Sequence, residues 1–245
     1  MLFRSPAPRI DYESVFQDSI YPGLFVNKTE LDEAKAKAEN FDWAFLIYQK
    51  VLKEADFWVN RQLNIPDTGG GFFHDGGPDY LITEHHYALT VAARHLALAY
   101  YWTEREEYFC KVYELLMGYT EKYLTYEIRD KAKRKGLEAK AGGRATTQGI
   151  NEIRWALPLL WAYDIIYNEL TIGERQQVEE GIIRPVAELT IPNNERAHNH
   201  QTWYNTTLGV IGTLLKARRY LEYAIDKEDS GFRFQMANSV RPEGL

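Results

Sequence analysis

The chain has 245 residues, of which 45% are hydrophobic, enough for the core of one large domain or two small ones. A formal net charge of −6 argues against nucleic acid as the main partner. The single cysteine, Cys110, excludes an intrachain disulfide and a cysteine metal site. No apolar run has the length of a membrane span or the form of a signal peptide. We therefore predict neither a membrane nor a nucleic-acid partner, and the location stays open.

The first 28 residues contain prolines at positions 6, 8 and 22 and no sustained hydrophobic period, so residues 1–28 are predicted to be an irregular lead-in. The run from Thr29 to Asp32 has the form of an N-terminal capping box. We expect the helical domain to cover residues 29–245. After an interruption at Asn40, apolar residues recur at helical spacing as far as Trp58.

Residues 64–78 contain two glycine clusters but neither a strand before them nor a lysine-plus-hydroxyl signature after them. This argues against a nucleotide-binding loop. A flexible rim loop with residues 72–74 (Phe-Phe-His) at its tip is favoured.

The remaining segments show helical patterns joined by connections of alternating length. The predicted helices cover residues 80–102, 104–126, 147–168, 171–191, 208–216, 220–224 and 232–240. Residues 127–145 form a basic and glycine-rich linker whose lysines are predicted to be solvated, and Pro158 predicts a kink. Short connections join antiparallel neighbours. The fold class is therefore all-α, with antiparallel helical hairpins, and the gathering of polar residues at helix ends favours a toroid over an open solenoid.

The densest polar and aromatic cluster occupies residues 193–205, with two imidazoles, several carboxamides and two aromatic rings. If a helix begins near Asn199, His200 and Tyr204 share one stripe, and Asn199 and Trp203 share the next. Capping explains one or two of these side chains but not the whole run. We predict a functional site here, with Gln201 in the same turn.

A second candidate stripe lies on the helix after the linker, where Gln148, Glu152 and Trp155 fall on one face. A purely structural buried ion pair is the alternative for Glu152. His85, near the start of an apolar helix, could reach the same cleft, although a capping or core role also explains it and its neighbour His86.

The pair His198-x-His200 has a spacing that metal ligands can use, but no third ligand stands at a diagnostic spacing. We predict no metal and no cofactor. A serine or cysteine nucleophile is likewise unsupported, because no nucleophile-elbow pattern occurs.

Several segments resemble the toroid domain of heparinase II/III-like proteins and oligoalginate lyases. They are residues 21–25, 143–148, 151–152, 155–158, 161–167, 184–188, 199–205 and 231–245. The resemblance implies cleavage of a uronate-containing polysaccharide, such as alginate or a glycosaminoglycan, by β-elimination. It also implies an acidic polysaccharide or oligosaccharide as the partner and a periplasmic or extracellular location.

In that chemistry, donors offset the uronate carboxylate and a tyrosine or histidine moves the proton. By resemblance, Asn199 and His200 occupy the neutralising and histidine positions, and Tyr204 is the local substitute for a proton-transfer tyrosine. The residues implied in sugar binding are Gln148, Glu152, Trp155, His85, Gln201 and Trp203.

A catalytic tyrosine of these families follows the Pro-x-Gly-Leu segment, and here the sequence ends at Leu245. We therefore expect a toroid truncated at its C-terminus, with an incomplete catalytic set, little activity alone and a tendency to self-associate. Two alternatives stay open. One is an α/α-barrel glycoside hydrolase, which needs two opposed carboxylates, and the other is a non-catalytic carbohydrate-binding helical domain.

Overall fold

The computed structural model describes residues 10–17, 20–72 and 76–239. The α-helices are α1 (Tyr12–Gln17), α2 (Lys28–Asn40), α3 (Asp42–Val59), α4 (Gly77–Thr103), α5 (Glu106–Lys122), α6 (Gly149–Ile166), α7 (Ile172–Val178), α8 (Arg184–Thr190), α9 (Asn199–Leu214), α10 (Arg218–Ile225) and α11 (Phe232–Ser239). Short 3₁₀ turns follow α5 and α6, and a π-helical turn (Glu179–Ile183) joins α7 to α8. No strand occurs in these ranges, so the all-α prediction is confirmed for them.

Helix starts follow local capping chemistry, and one predicted cap was misplaced. The side chain of Asn27, which is in an extended conformation, accepts the backbone N–H of Glu30, and the backbone N–H of Asn27 donates to the Glu30 carboxylate. Helix α2 therefore begins at Lys28. A second capping box, formed by Thr171 and Glu174, lies at the start of α7.

Other boundaries differ from the prediction in smaller ways. The lead-in contains α1, so the prediction of an irregular segment is wrong there. Residues 73 and 74 of the expected loop tip, and residue 240 of the last predicted helix, lie outside the described residues. Pro158 lies inside α6, which continues to Ile166.

Helices α4, α6 and α9 form a central row, in which α4 packs on α6 and α6 packs on α9. Helices α5, α8 and α10 pack beside this row. Alanines on the buried side of α4, among them Ala93 and Ala97, let neighbouring backbones approach closely. No helix in the described part of the chain combines the length and apolarity needed to cross a bilayer.

The segment before α2 crosses from α6 to α9. The carboxylate of Asp164, buried in α6, accepts the backbone N–H groups of Gly23 (3.2 Å) and Leu24 (3.0 Å). Tyr21 stacks on Tyr167 with ring centroids 3.7 Å apart and donates its hydroxyl to the carbonyl of Leu214. Burial raises the pKa of Asp164 to about 6, although the two N–H donors oppose the shift.

Because its pKa is raised, the carboxyl of Asp164 binds a proton more tightly in the folded protein than in the unfolded chain. The contribution of Asp164 to the free energy of unfolding should therefore fall as pH rises from about 4 to about 6. The neutral variant Asp164→Asn lacks this loss. Its stability relative to the wild type should rise by on the order of 2–3 kcal/mol across that window. Urea unfolding at several pH values measures this, and exposed Glu39→Gln is the control. A pH-independent difference would contradict the prediction.

Candidate functional site

The loops before α4, α6 and α9 meet at one end of the central row. The N–H of Gly70 donates to the carbonyl of Ala145 at 2.9 Å, which joins the first two loops. At the start of α6, a β-carbon built on Gly149 would lie 2.8 Å from Nδ2 of Asn193, in the third loop. The three helix N-termini therefore share one rim.

The basic linker is an ordered part of this rim. The buried carboxylate of Asp130 accepts the N–H groups of Ala132, Arg134 and Lys140 and the guanidinium of Arg134. Its lysines are exposed, as predicted. A surface with several exposed lysines therefore borders the rim.

Glu152 anchors the loop that leads into α6. Its Oε1 accepts the hydroxyl of Tyr123 (2.9 Å) and the N–H groups of Arg144 and Ala145 (both 3.0 Å). Its Oε2 accepts the N–H (2.8 Å) and hydroxyl (3.0 Å) of Thr146. Burial raises the pKa of Glu152, and the donors act in the opposite direction. These contacts support the structural alternative for Glu152, with backbone N–H groups and hydroxyls in place of the expected ion-pair partner, and its sugar contact stays a prediction.

Two other residues predicted to bind sugar are also buried. Trp155 stacks on Tyr123 with centroids 4.8 Å apart and has no exposed surface. Gln201 accepts the N–H of Glu195 at 2.8 Å and donates to Asn205 at 3.0 Å. Both side chains pack against other elements of the protein, and their roles in sugar binding stay predictions.

The first turn of α9 is open to solvent, as the sequence predicted. The ring of His198 caps the helix by accepting the backbone N–H of His200 at 3.2 Å. Asn199 is exposed, the side chain of His200 is 26% exposed and Trp203 is 47% exposed. A large ligand can reach these three predicted site residues.

The carboxylate of Glu195, which precedes α9 in sequence, contacts several side chains of this turn. Sequence reasoning did not select Glu195 as a site residue. Its Oε1 lies 3.1 Å from Nδ1 of His200 and 3.5 Å from the hydroxyl of Tyr204. Its Oε2 lies 3.4 Å from Nδ1 of His198. A left-handed turn at Arg196 (φ 53°) brings Glu195 back against the helix. Helical spacing cannot reveal such a contact, because Glu195 precedes the cap.

Tyr204 lies beneath the exposed turn, and its side chain is 1% exposed. Burial raises the pKa of Tyr204 well above its usual range, and the Glu195 carboxylate adds to the shift. The hydroxyl is therefore a proton donor at neutral pH. The predicted shared stripe with His200 exists, but its inner end points into the protein.

The last two predicted residues stand apart from this turn. Gln148 is the half-buried residue before α6 and accepts the amide of Asn151 at 3.4 Å. His85 contacts the carbonyl of Asn64 at 2.8 Å, on the α4 side of the rim. Its neighbour His86 is buried, and burial lowers its pKa to about 4.

Metal-ligand atoms also come together at the α9 turn. One ligand atom each from Glu195, His198 and His200 lies within 4.8 Å of the other two. Two histidines and a carboxylate could hold a divalent transition metal. The sequence prediction of no metal stays a prediction.

A cavity of about 440 Å³ lies between the 128–144 loop and α8, and its lining extends to Asn193 in the segment before α9. Asn193, Arg144 and Glu188 are among the polar residues that line it, and its size is that of a small-ligand site. Asn193 connects the cavity to the α9 cluster.

Comparison with known proteins identifies the family. Residues 50–245, well over half of the chain, match the model of the family described as alginate lyase. The chain belongs to the alginate lyase family. It is 26% identical over 235 residues to an exo-oligoalginate lyase of Saccharophagus degradans, covering 91% of this chain and 30% of that protein. It is 26% identical over 185 residues to an alginate lyase of Stenotrophomonas maltophilia, covering 73% and 23%.

A solved structure agrees on the fold. An alginate lyase from Bacteroides ovatus superposes with a TM-score of 0.62 at 15% identity, covering 92% of this chain and 69% of that one. The prediction of antiparallel helical hairpins arranged in an α/α toroid is confirmed. The chain spans less than a third of the length of the two curated relatives.

The contact between α6 and the α9 turn depends on Gly149, because this residue has no side chain. At Gly149 a β-carbon would lie 2.8 Å from Asn193 and 3.0 Å from the Tyr204 hydroxyl. Gly149→Ala should therefore lower the free energy of unfolding by about 1–3 kcal/mol.

The matched control is Gly173→Ala in the first turn of α7, where no atom lies within 4 Å of the added carbon. That change should be neutral or stabilising by up to about 1 kcal/mol. Chemical unfolding of both variants measures the effect, and equal stability would contradict the packing described.

Proposed function

We propose that this chain forms the helical part of the active site of a polysaccharide lyase that cleaves a uronate polymer by β-elimination. The observation that carries the proposal is the open α9 turn, where Asn199 and His200 lie side by side in a member of the alginate lyase family. The two curated relatives are named for lyase activity on alginate or its oligomers. Alginate is therefore the first substrate to test, ahead of glycosaminoglycans.

The chemistry requires the charge of the uronate carboxylate to be offset before the neighbouring C–H proton can leave. The amide of Asn199 and the N-terminal end of α9 both favour a negative group at this position. His200 is the group proposed to transfer the proton. Trp203 provides an exposed ring against which a sugar can stack.

Tyr204 takes a different part from the one predicted from sequence. Its hydroxyl is buried and contacts Glu195, so we assign it to holding the turn rather than to contact with the sugar.

The hydrolase alternative is less favoured. It needs two carboxylates that face each other across the sugar, and the sequence candidate, Glu152, has both oxygens occupied by hydrogen bonds within the protein.

A polymeric acidic substrate also favours a site of action in the periplasm or outside the cell, since such polymers do not cross membranes unaided.

The proposal is tested by incubating the protein separately with alginate, heparin and hyaluronate. The ultraviolet absorbance of unsaturated uronate reports β-elimination. New reducing ends without that absorbance would support a hydrolase. Binding without either product would support the non-catalytic domain.

In a full-length relative, His200→Ala at the matching position should reduce turnover on the order of 10²-fold or more, because a proton-transfer group is lost. Substrate binding should fall less, since Asn199 and Trp203 stay in place. Initial rates at saturating substrate measure the first effect and calorimetric titration the second. Thr206→Ala, an exposed position two turns along α9, is the control, and near-normal turnover in His200→Ala would assign His200 a structural role.

A further inference from the structure

We propose that Glu195 is a positioning residue that fixes the tautomer and orientation of the His200 ring. The inference rests on the proposed function, because it assumes that His200 transfers the proton. Glu195 itself need not touch the substrate. It would act through the hydrogen bond between its carboxylate and Nδ1 of His200, which are 3.1 Å apart.

The contacts around the turn decide which histidine nitrogen carries the proton. Nδ1 of His198 accepts the backbone N–H of His200 at 3.2 Å, so that nitrogen has no proton to give. Glu195 can then receive a ring proton from His200 alone. A neutral His200 that donates from Nδ1 must carry its lone pair on Nε2, on the opposite edge of the ring.

Glu195 is itself held from two sides. Its backbone N–H donates to the buried amide of Gln201 at 2.8 Å. Gln201 donates to Asn205 at 3.0 Å, and Asn205 donates to the carbonyl of Ser230 at 2.8 Å. From beneath, the hydroxyl of Tyr204 lies 3.5 Å from the carboxylate. The carboxylate therefore has little freedom to leave His200.

For the reaction, this means that Nε2 of His200 is unprotonated and can act as the base before the substrate binds. The proton beside the uronate carboxylate moves to Nε2 of His200, and the C–H electron pair forms the new double bond. The glycosidic C–O bond breaks, and the departing oxygen takes a proton from water. Glu195 stabilises the imidazolium that forms, as a carboxylate does for histidine in hydrolytic triads.

The test begins with the ring nitrogens, whose state does not depend on turnover. ¹⁵N NMR of the 245-residue protein, at a pH where the rings are neutral, should show His200 protonated on Nδ1. In Glu195→Ala the signal should move towards the Nε2-protonated form. Glu114→Gln, an exposed carboxylate paired with Lys111, should leave it unchanged. An Nε2-protonated ring in the wild type, or no change in Glu195→Ala, would overturn the inference.

Kinetics give the second readout. Glu195→Ala should lower kcat on the order of 10²-fold, the loss expected from a misplaced reacting group, with little change in KM. Glu195→Gln keeps the shape and an acceptor oxygen, so it should recover part of kcat, and it serves if the alanine variant does not fold. A rise in KM with kcat unchanged would overturn the inference.

The measurements also distinguish the positioning role of Glu195 from the proposed lyase function and from a metal site. New reducing ends without the ultraviolet absorbance, together with the expected NMR result, would refute the proposed lyase and leave the Glu195 contact standing. If a chelator abolished activity and Zn²⁺ restored it, the carboxylate would be a metal ligand and the positioning role would be wrong.

Discussion

The rim depends on one buried carboxylate, whose hydrogen-bond partners in the described part of the chain are backbone N–H groups and hydroxyls. Glu152 is compensated by three consecutive backbone N–H groups and two hydroxyls. Removing the carboxylate would leave several buried donors unpaired, each worth about 1–3 kcal/mol. Because those donors belong to residues 144–146, Glu152 sets where the linker ends and α6 begins, and so where Gly149 meets the α9 turn.

Much of the fold could be predicted because helices are local. Apolar residues at helical spacing and boxes such as Thr171 with Glu174 lie within a few residues of each other. The start of α9 at Asn199 follows from the same kind of signal. The short helix α1 was missed because six residues are too few to show a period.

The candidate site could be predicted only in part, for a physical reason. Periodicity says which residues share a face, but not whether that face meets solvent or a neighbour. On α9 the face with Asn199 and Trp203 is exposed, whereas Gln201 and Tyr204 point inward. On α6, which is buried around much of its circumference, Glu152 and Trp155 have no open face at all.

A chain of hydrogen bonds runs from the backbone of Glu195 through the side chains of Gln201 and Asn205 to the carbonyl of Ser230. It connects the rim to a part of the protein outside it. Ser230 lies in the turn between α10 and α11, and its carbonyl is the far end of that chain. Adding or deleting a residue in this turn would shift the amide ladder along α9. The length of this distant surface turn therefore affects the position of the Glu195 carboxylate. Relatives that differ in the length of the turn would need a compensating change in α9.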